Sequence, residues 1–242
     1  MKKRVKIILA ACLALILAVC IGCAVYLSDY YHADGSALEA MSYQTDSVRI
    51  EQDGDVTWFI PDKPQAGLIF YPGGKVEHTA YAPLLRACAE RGILCALVKM
   101  PGNLAVLDQN AADGLARQHP EAGSWYIGGH SLGGAMAAGY AAAHADDLDG
   151  LILLAAYSTD DISSAGLRVL SVYGSADGVM DRERYAEYLP NLPDDFTEVV
   201  LDGGCHAQFG SYGAQDGDGT PTMSADEQLH QTADCIAQFI GT

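Results

Sequence analysis

The chain has 242 residues, half of them apolar, which is enough for one domain with a substantial hydrophobic core. Only 14 residues are lysine or arginine, against 31 that are aspartate or glutamate, and the formal net charge is −17. This balance argues against nucleic acid as a partner, because phosphate contacts require clustered basic side chains.

An apolar stretch begins the sequence. Residues 5–27 are apolar apart from Lys6, and they follow Lys2, Lys3 and Arg4. A helix crosses a bilayer with roughly 20 apolar residues, so this stretch is long enough to span one. Because the basic residues come before it, the positive-inside rule places the N-terminus in the cytoplasm and the rest of the chain outside.

We therefore predict a membrane anchor at residues 1–27, a juxtamembrane linker at 28–45 and a folded domain at 46–242. A cleaved signal peptide or a lipoprotein cleaved before Cys23 are the alternatives, although Cys20 occupies the position where a lipoprotein pattern has leucine. Four cysteines lie beyond the anchor. Their spacing is not that of a metal site, and it does not decide whether they form disulfides. They are Cys88, Cys95, Cys205 and Cys235.

Beyond the linker, short β-branched or apolar runs alternate with stretches of helical period, which predicts a mostly parallel sheet with helices on both faces. The predicted strands are residues 47–52, 56–60, 66–71, 93–99, 125–128, 150–155, 168–173 and 197–201, the first two antiparallel. The predicted helices are residues 80–91, 108–119, 132–144, 181–189 and 225–239, with a capping box of Ser224 and Glu227 before the last. Residues 157–166 are too few for a helical lid, so we expect an open site.

The segment from Gly129 to Gly133 reads Gly-His-Ser-Leu-Gly and lies between a predicted strand and a predicted Ala-rich helix. G-x-S-x-G in this context indicates a nucleophilic serine, Ser131, on a sharp turn. The amide of Leu132 and the helix N-terminus would then face a developing oxyanion. The alternative is a glycine-rich turn in which Ser131 only caps the helix.

This motif, together with Tyr-Pro-Gly-Gly-Lys-Val at residues 71–76 and Gly-Gly-Cys-His-Ala-Gln-Phe-Gly at 203–210, resembles the α/β-hydrolase superfamily, in particular its small lidless serine hydrolases. The resemblance extends over residues 48–240. It implies an α/β-hydrolase fold and a triad in the chain order serine, acid, histidine.

The resemblance implies His206 as the general base, because His206 follows the last predicted strand in a glycine-rich loop. It also implies Asp177 as the acid that orients the base, after strand 168–173. Asp160 and Asp161 remain the alternatives for the acid.

The second oxyanion donor is expected in the loop after strand 66–71, where Gly74 and Lys75 are equal candidates. Lipases carry His-Gly-Gly-Gly there, whereas this chain has Pro72-Gly73-Gly74, so lipase preferences do not carry over.

The predicted function is hydrolysis of a small-molecule carboxylic ester through an acyl-enzyme, without a cofactor or metal. Acyl transfer on the same triad and a non-catalytic binding module on the same scaffold are the alternatives. Residues 216–219 read Asp-Gly-Asp-Gly but lack the further oxygen ligands of a calcium loop, so we interpret them as solvated.

Overall fold

The structure, a computed structural model, describes residues 2–42 and 47–242 of the chain. It divides into two compact units, Met1–Tyr30 and Tyr31–Thr242. The predicted boundary between linker and domain, at residues 45 and 46, lies outside the described residues.

The first unit is helix α1 (Lys2–Ser28) with the two residues that follow it. Residues Lys3–Ser28 form the one helix in the described chain that is long and apolar enough to cross a membrane. A signal sequence near the N-terminus can meet the same criteria of length and composition.

The second unit is built on an eight-stranded sheet with the order β1-β2-β4-β3-β5-β6-β7-β8. β2 pairs antiparallel with β1 and β4, and all other neighbours are parallel, as predicted. The strands are β1 (Val48–Asp53), β2 (Val56–Pro61), β3 (Ala66–Tyr71), β4 (Ile93–Val98), β5 (Ser124–His130), β6 (Gly150–Leu154), β7 (Arg168–Gly174) and β8 (Thr197–Leu201).

The central strands are almost continuously apolar because helices and loops cover both faces of the sheet. In β3, Leu68 and Phe70 belong to one hydrophobic cluster, while Ile69 and Tyr71 belong to another. The further helices are α2 (Gly35–Ser42), α3 (Ala82–Glu90), α4 (Leu132–Ala143), α5 (Arg182–Tyr188) and α6 (Ala225–Ile240). α2, α3 and α6 contribute to the first cluster and α4 to the second.

One of the two bonds of the predicted capping box is present at the start of α6, where the Ser224 hydroxyl accepts a hydrogen bond from the Glu227 amide at 3.2 Å. In contrast, the predicted helix at residues 108–119 is wrong, since this segment forms turns and one short 3-10 helix. The Tyr71 hydroxyl donates to the Gln109 carbonyl and accepts from the Ala112 amide, both at 2.8 Å, so a core side chain replaces helical bonds. Gly114, with φ of +79°, then interrupts any helical path.

The segment directly after Tyr30 belongs to the second unit. Tyr31 pairs with Val76 in a parallel bridge. Its amide donates to the Lys75 carbonyl, and its carbonyl accepts from the Glu77 amide, each at 2.8 Å. α2 follows with two buried alanines and packs on α3. Residues 31–42 are therefore a packed part of the domain.

Candidate active site

Ser131 lies at the turn between β5 and α4, with φ of 52° and ψ of −123°. Positive φ is rare for a residue with a side chain, and it persists only where the surroundings hold the backbone. The Ser131 amide donates to the Leu154 carbonyl at 2.9 Å, and the Ser131 carbonyl accepts from the Ala135 amide at 3.1 Å. The predicted nucleophile therefore has the strained backbone that the motif requires.

Two residues before and two residues after Ser131, at positions 129 and 133, glycine is required because the backbone there is in close contact with other backbone atoms. A Cβ added to Gly129 would lie 2.6 Å from the carbonyl carbon of Gly133. One added to Gly133 would lie 2.2 Å from the carbonyl oxygen of Pro72. No side chain fits at these distances, so the tight turn depends on both residues.

The side chains of His206 and Asp177 form a buried pair on the loops that follow β8 and β7. His206 Nδ1 and Asp177 Oδ2 are 2.9 Å apart. The other carboxylate oxygen, Oδ1, accepts from the amides of Val179 and Met180, each at 2.8 Å. A carboxylate acceptor keeps the ring proton on Nδ1, and this leaves a lone pair on Nε2. Nε2 is buried without a hydrogen-bond partner in the described residues.

His130 places the base beside the nucleophile's turn, since it directly precedes Ser131 and its ring centroid lies 4.4 Å from that of His206. Within residues 2–42 and 47–242, no hydrogen bond joins Ser131 Oγ to His206 Nε2. Such bonds are often long in free enzymes and shorten when substrate binds. The structure thus places the ring of His206 against the residue that precedes Ser131, with the hydrogen-bonded pair of His206 and Asp177 already formed.

The amides predicted to bind an oxyanion differ in their hydrogen bonding. The Lys75 amide donates to the Asn103 carbonyl at 2.8 Å. The amides of Gly74 and Leu132 donate no hydrogen bond within the described part of the chain. A Cβ added to Gly74 would lie 2.8 Å from Leu132 Cδ2, so these two segments are in contact. Of the two candidates in this loop, Gly74 has the unpaired amide.

Residues 67–230 match the family model described as the alpha/beta hydrolase family. The chain belongs to the α/β hydrolase family. The matched region contains Ser131, Asp177 and His206, and it begins in β3 and ends in α6. A comparison with curated proteins gives no match.

Solved structures share this α/β hydrolase fold. TT1662 from Thermus thermophilus has a TM-score of 0.60 and 16% identity, and the alignment covers 81% of this chain and 99% of that one. An esterase from Mycobacterium tuberculosis has a TM-score of 0.60 and 13% identity, with 86% and 96% covered. A thermostable esterase from Pseudomonas putida has a TM-score of 0.57 and 15% identity, with 82% and 85% covered. At these low identities, the similarity to the three structures shows that the fold is shared.

His130 makes contacts in this α/β hydrolase site that its position in the sequence does not reveal. It is buried, its Nδ1 lies 2.8 Å from the Tyr81 hydroxyl, and that hydroxyl accepts from the Gly73 amide at 3.0 Å. Burial, reinforced by the charge that His206 can carry, holds the pKa of His130 well below its usual range. His130 therefore stays neutral and links the loop of Gly73 to the ring of His206. Tyr81 is too far away in sequence for any local signal to reveal this contact.

Two further side chains hold the histidine loop, and sequence reasoning missed both. Gln228 of α6 accepts from the Cys205 amide at 2.9 Å and donates to the Cys205 carbonyl at 2.8 Å. Asp218 accepts from the amide of His206 at 3.1 Å and from that of Ala207 at 2.8 Å. The interpretation of residues 216–219 as solvated is therefore wrong for Asp218, whose carboxylate is partly buried and bonded to partners that are distant in sequence.

Cys205 is a thiol in this loop. Burial, together with the neighbouring Asp218 carboxylate, raises its pKa to about 11. No disulfide joins the cysteines of the described residues. No group of three or more potential metal-binding side chains occurs among the described residues either.

A cavity of about 700 Å³ opens beside the histidine loop. Its lining includes Asp34, Pro83, Ala207, Asp218 and Leu229 but not Ser131, Asp177 or His206.

Proposed function

We propose that this α/β hydrolase hydrolyses carboxylic esters through an acyl-enzyme, with Ser131 as nucleophile, His206 as general base and Asp177 as the orienting acid. The observation that carries the proposal is the 2.9 Å contact between His206 Nδ1 and Asp177 Oδ2 in a buried pair beside the strained turn of Ser131. This is the arrangement by which serine hydrolases fix the imidazole tautomer that accepts a proton.

In the proposed reaction, His206 Nε2 takes the Ser131 hydroxyl proton as Oγ attacks the ester carbonyl carbon. The carbonyl oxygen becomes an oxyanion and accepts from the amides of Leu132 and Gly74, both of which are unpaired. When the carbon–oxygen bond breaks, the imidazolium returns the proton to the leaving alcohol. Water then attacks the acyl-enzyme in the same way and releases the acid, so neither metal nor cofactor is required.

We also propose that α1 anchors the protein and that the catalytic domain lies on the outer side of the membrane. The cluster of Lys2, Lys3 and Arg4 before the apolar stretch supports this orientation. The substrate would then be an extracytoplasmic ester.

Labelling with a fluorophosphonate tests the proposal, since this probe reacts covalently only with an activated serine. We expect one label per chain, and peptide mapping should place it on Ser131. A folded protein that takes up no label would favour the binding module. Acyl transfer is distinguished from hydrolysis by product analysis with an added alcohol, because both reactions pass through the same acyl-enzyme.

The rate should depend on pH through a single protonation. We expect kcat/KM for a chromogenic ester to rise with pH along an acid limb of slope one, because only a neutral imidazole can accept the serine proton. The slope is one because His130, whose pKa is held well below its usual range by burial, stays neutral. A slope of two or a flat profile would show that other groups control the reaction.

The acyl group should be short or of medium length. The connection from β6 to β7 contains no helix, so little chain is available to wall a deep apolar tunnel. We expect kcat/KM of a soluble fragment that begins at residue 28 to be highest for butyryl or octanoyl among acetyl, butyryl, octanoyl and palmitoyl esters of one alcohol. The esters are kept below their aggregation limits. A maximum at palmitoyl would contradict an open pocket.

A further inference from the structure

A second carboxylate, that of Asp218, lies between the two loops that carry the acid and the base. Its Oδ1 accepts from the amide of Gly178, the residue after Asp177, and from the amide of His206 itself, each at 3.1 Å. Its Oδ2 accepts from the amide of Ala207 at 2.8 Å. One side chain is thus bonded to the backbone on both sides of the acid–base pair.

We propose that Asp218 is a positioning residue of the active site, which ties the loop of Asp177 to the loop of His206 and so sets the alignment of acid and base. This inference rests on the proposed function of the triad. The Asp218 carboxylate is bonded to the backbone amides of Gly178, His206 and Ala207, and it acts through the two loops that it joins.

The loop that carries Asp218 is wedged against the acid loop by direct backbone contact. A Cβ added to Gly219 would lie 1.8 Å from the Ala176 carbonyl oxygen, and one added to Gly178 would lie 2.7 Å from the Gly217 carbonyl oxygen. Oδ1 also accepts from the Gly219 amide at 2.8 Å, which holds the carboxylate within its own turn. The carboxylate therefore cannot shift without moving the acid loop.

The carboxylate is ionised at any pH at which imidazole is a base. Partial burial by itself raises its pKa, but the amides of Ala207, Gly178 and His206 outweigh this effect, and the pKa of Asp218 lies below its usual range. Because the folded-state pKa is depressed, the stabilisation from these bonds is present above the unfolded-state pKa. It is lost only as the pH falls through the folded-state pKa.

A negative charge bonded to the His206 backbone also favours the protonated ring that forms during acyl transfer. Asp218 thus has two separable effects. The hydrogen bonds align the loops, and the charge favours imidazolium.

The test compares Asp218→Ala and Asp218→Asn with Asp216→Asn, an exposed aspartate of the same loop, in the full chain in detergent. Asp218→Ala should lower kcat by about 10²-fold with little change in KM, because misplacement of about 1 Å costs this much. Asp218→Asn keeps an oxygen for Gly178 and His206 but loses the bond from the Ala207 amide, so it should recover only part of kcat. Asp216→Asn should behave as wild type.

The pH profile separates this role from a merely structural one. In both Asp218 variants the acid limb of kcat/KM should move to lower pH, because the protonated base loses a neighbouring negative charge. If Asp218→Ala fails to fold, Asp218→Asn alone is used to measure the position of the acid limb. An unmoved acid limb together with wild-type kcat in the folded variants would overturn the proposal.

Failure of the proposed function itself would look different. The wild-type chain would then take up no fluorophosphonate, whereas failure of the positioning role leaves wild-type labelling intact.

Discussion

Replacing Ser131 with alanine is expected to abolish ester hydrolysis, with kcat lower by about 10⁴ to 10⁶-fold. The reason is that His206 then has no hydroxyl to deprotonate, so no acyl-enzyme forms. Alanine keeps a Cβ at the same positive φ, so the backbone strain at this turn does not change. Steady-state kinetics with a chromogenic ester and fluorophosphonate labelling measure the two losses.

Ser164→Ala is the matched control, since Ser164 is an exposed serine on the connection between β6 and β7. It should retain wild-type turnover. A Ser131→Ala enzyme that loses only about tenfold would contradict the assignment, because triad members contribute far more than this. A thermal midpoint equal to that of wild type would show that the loss is chemical.

Replacing Asp177 with asparagine should lower kcat by about 10⁴-fold while the protein stays folded. The asparagine oxygen can still accept the amide bonds of Val179 and Met180 that Asp177 Oδ1 accepts at 2.8 Å. Its amide group, however, donates to His206 Nδ1, so the ring proton moves to Nε2 and the base can no longer accept from serine.

Asp161→Asn and Asp160→Asn are the controls, since these residues were the alternative acids. Asp161 is exposed and bonds only with Ser163 among its described neighbours. Both variants should keep near wild-type kcat/KM. A large loss in either, with Asp177→Asn unaffected, would exchange the roles.

The strands were predictable because each is a short apolar or β-branched run closed by turn residues. The turn at Ser131 and the loop of His206 were predictable because their glycine-rich surroundings are local in sequence. The predicted helix at residues 108–119 failed because a distant hydroxyl, that of Tyr71, takes the bonds that a helix would make within itself. The periodicity of apolar residues within a segment contains no information about a hydrogen-bond partner that is distant in sequence.

The supporting residues were missed for the same reason. Asp218 bonds to Gly178, 40 residues away, and the Tyr81 hydroxyl lies beside His130, 49 residues away. The choice between Gly74 and Lys75 depends on which amide meets the carbonyl of Asn103, and only the fold decides this.

The pairing of Tyr31 has a mechanical consequence. Its amide bonds to the Lys75 carbonyl, its carbonyl bonds to the Glu77 amide, and its hydroxyl accepts from the Asp216 amide at 3.1 Å. Tension applied at Tyr31 therefore acts on the segment of Lys75 and Glu77 and on the loop of Asp216 before it acts on any strand of the sheet. Proteolysis before Tyr31 would release a domain that keeps the hydrogen bonds of Tyr31. Proteolysis just after Tyr31 would remove these bonds from the segment of Lys75 and Glu77 and from the loop of Asp216.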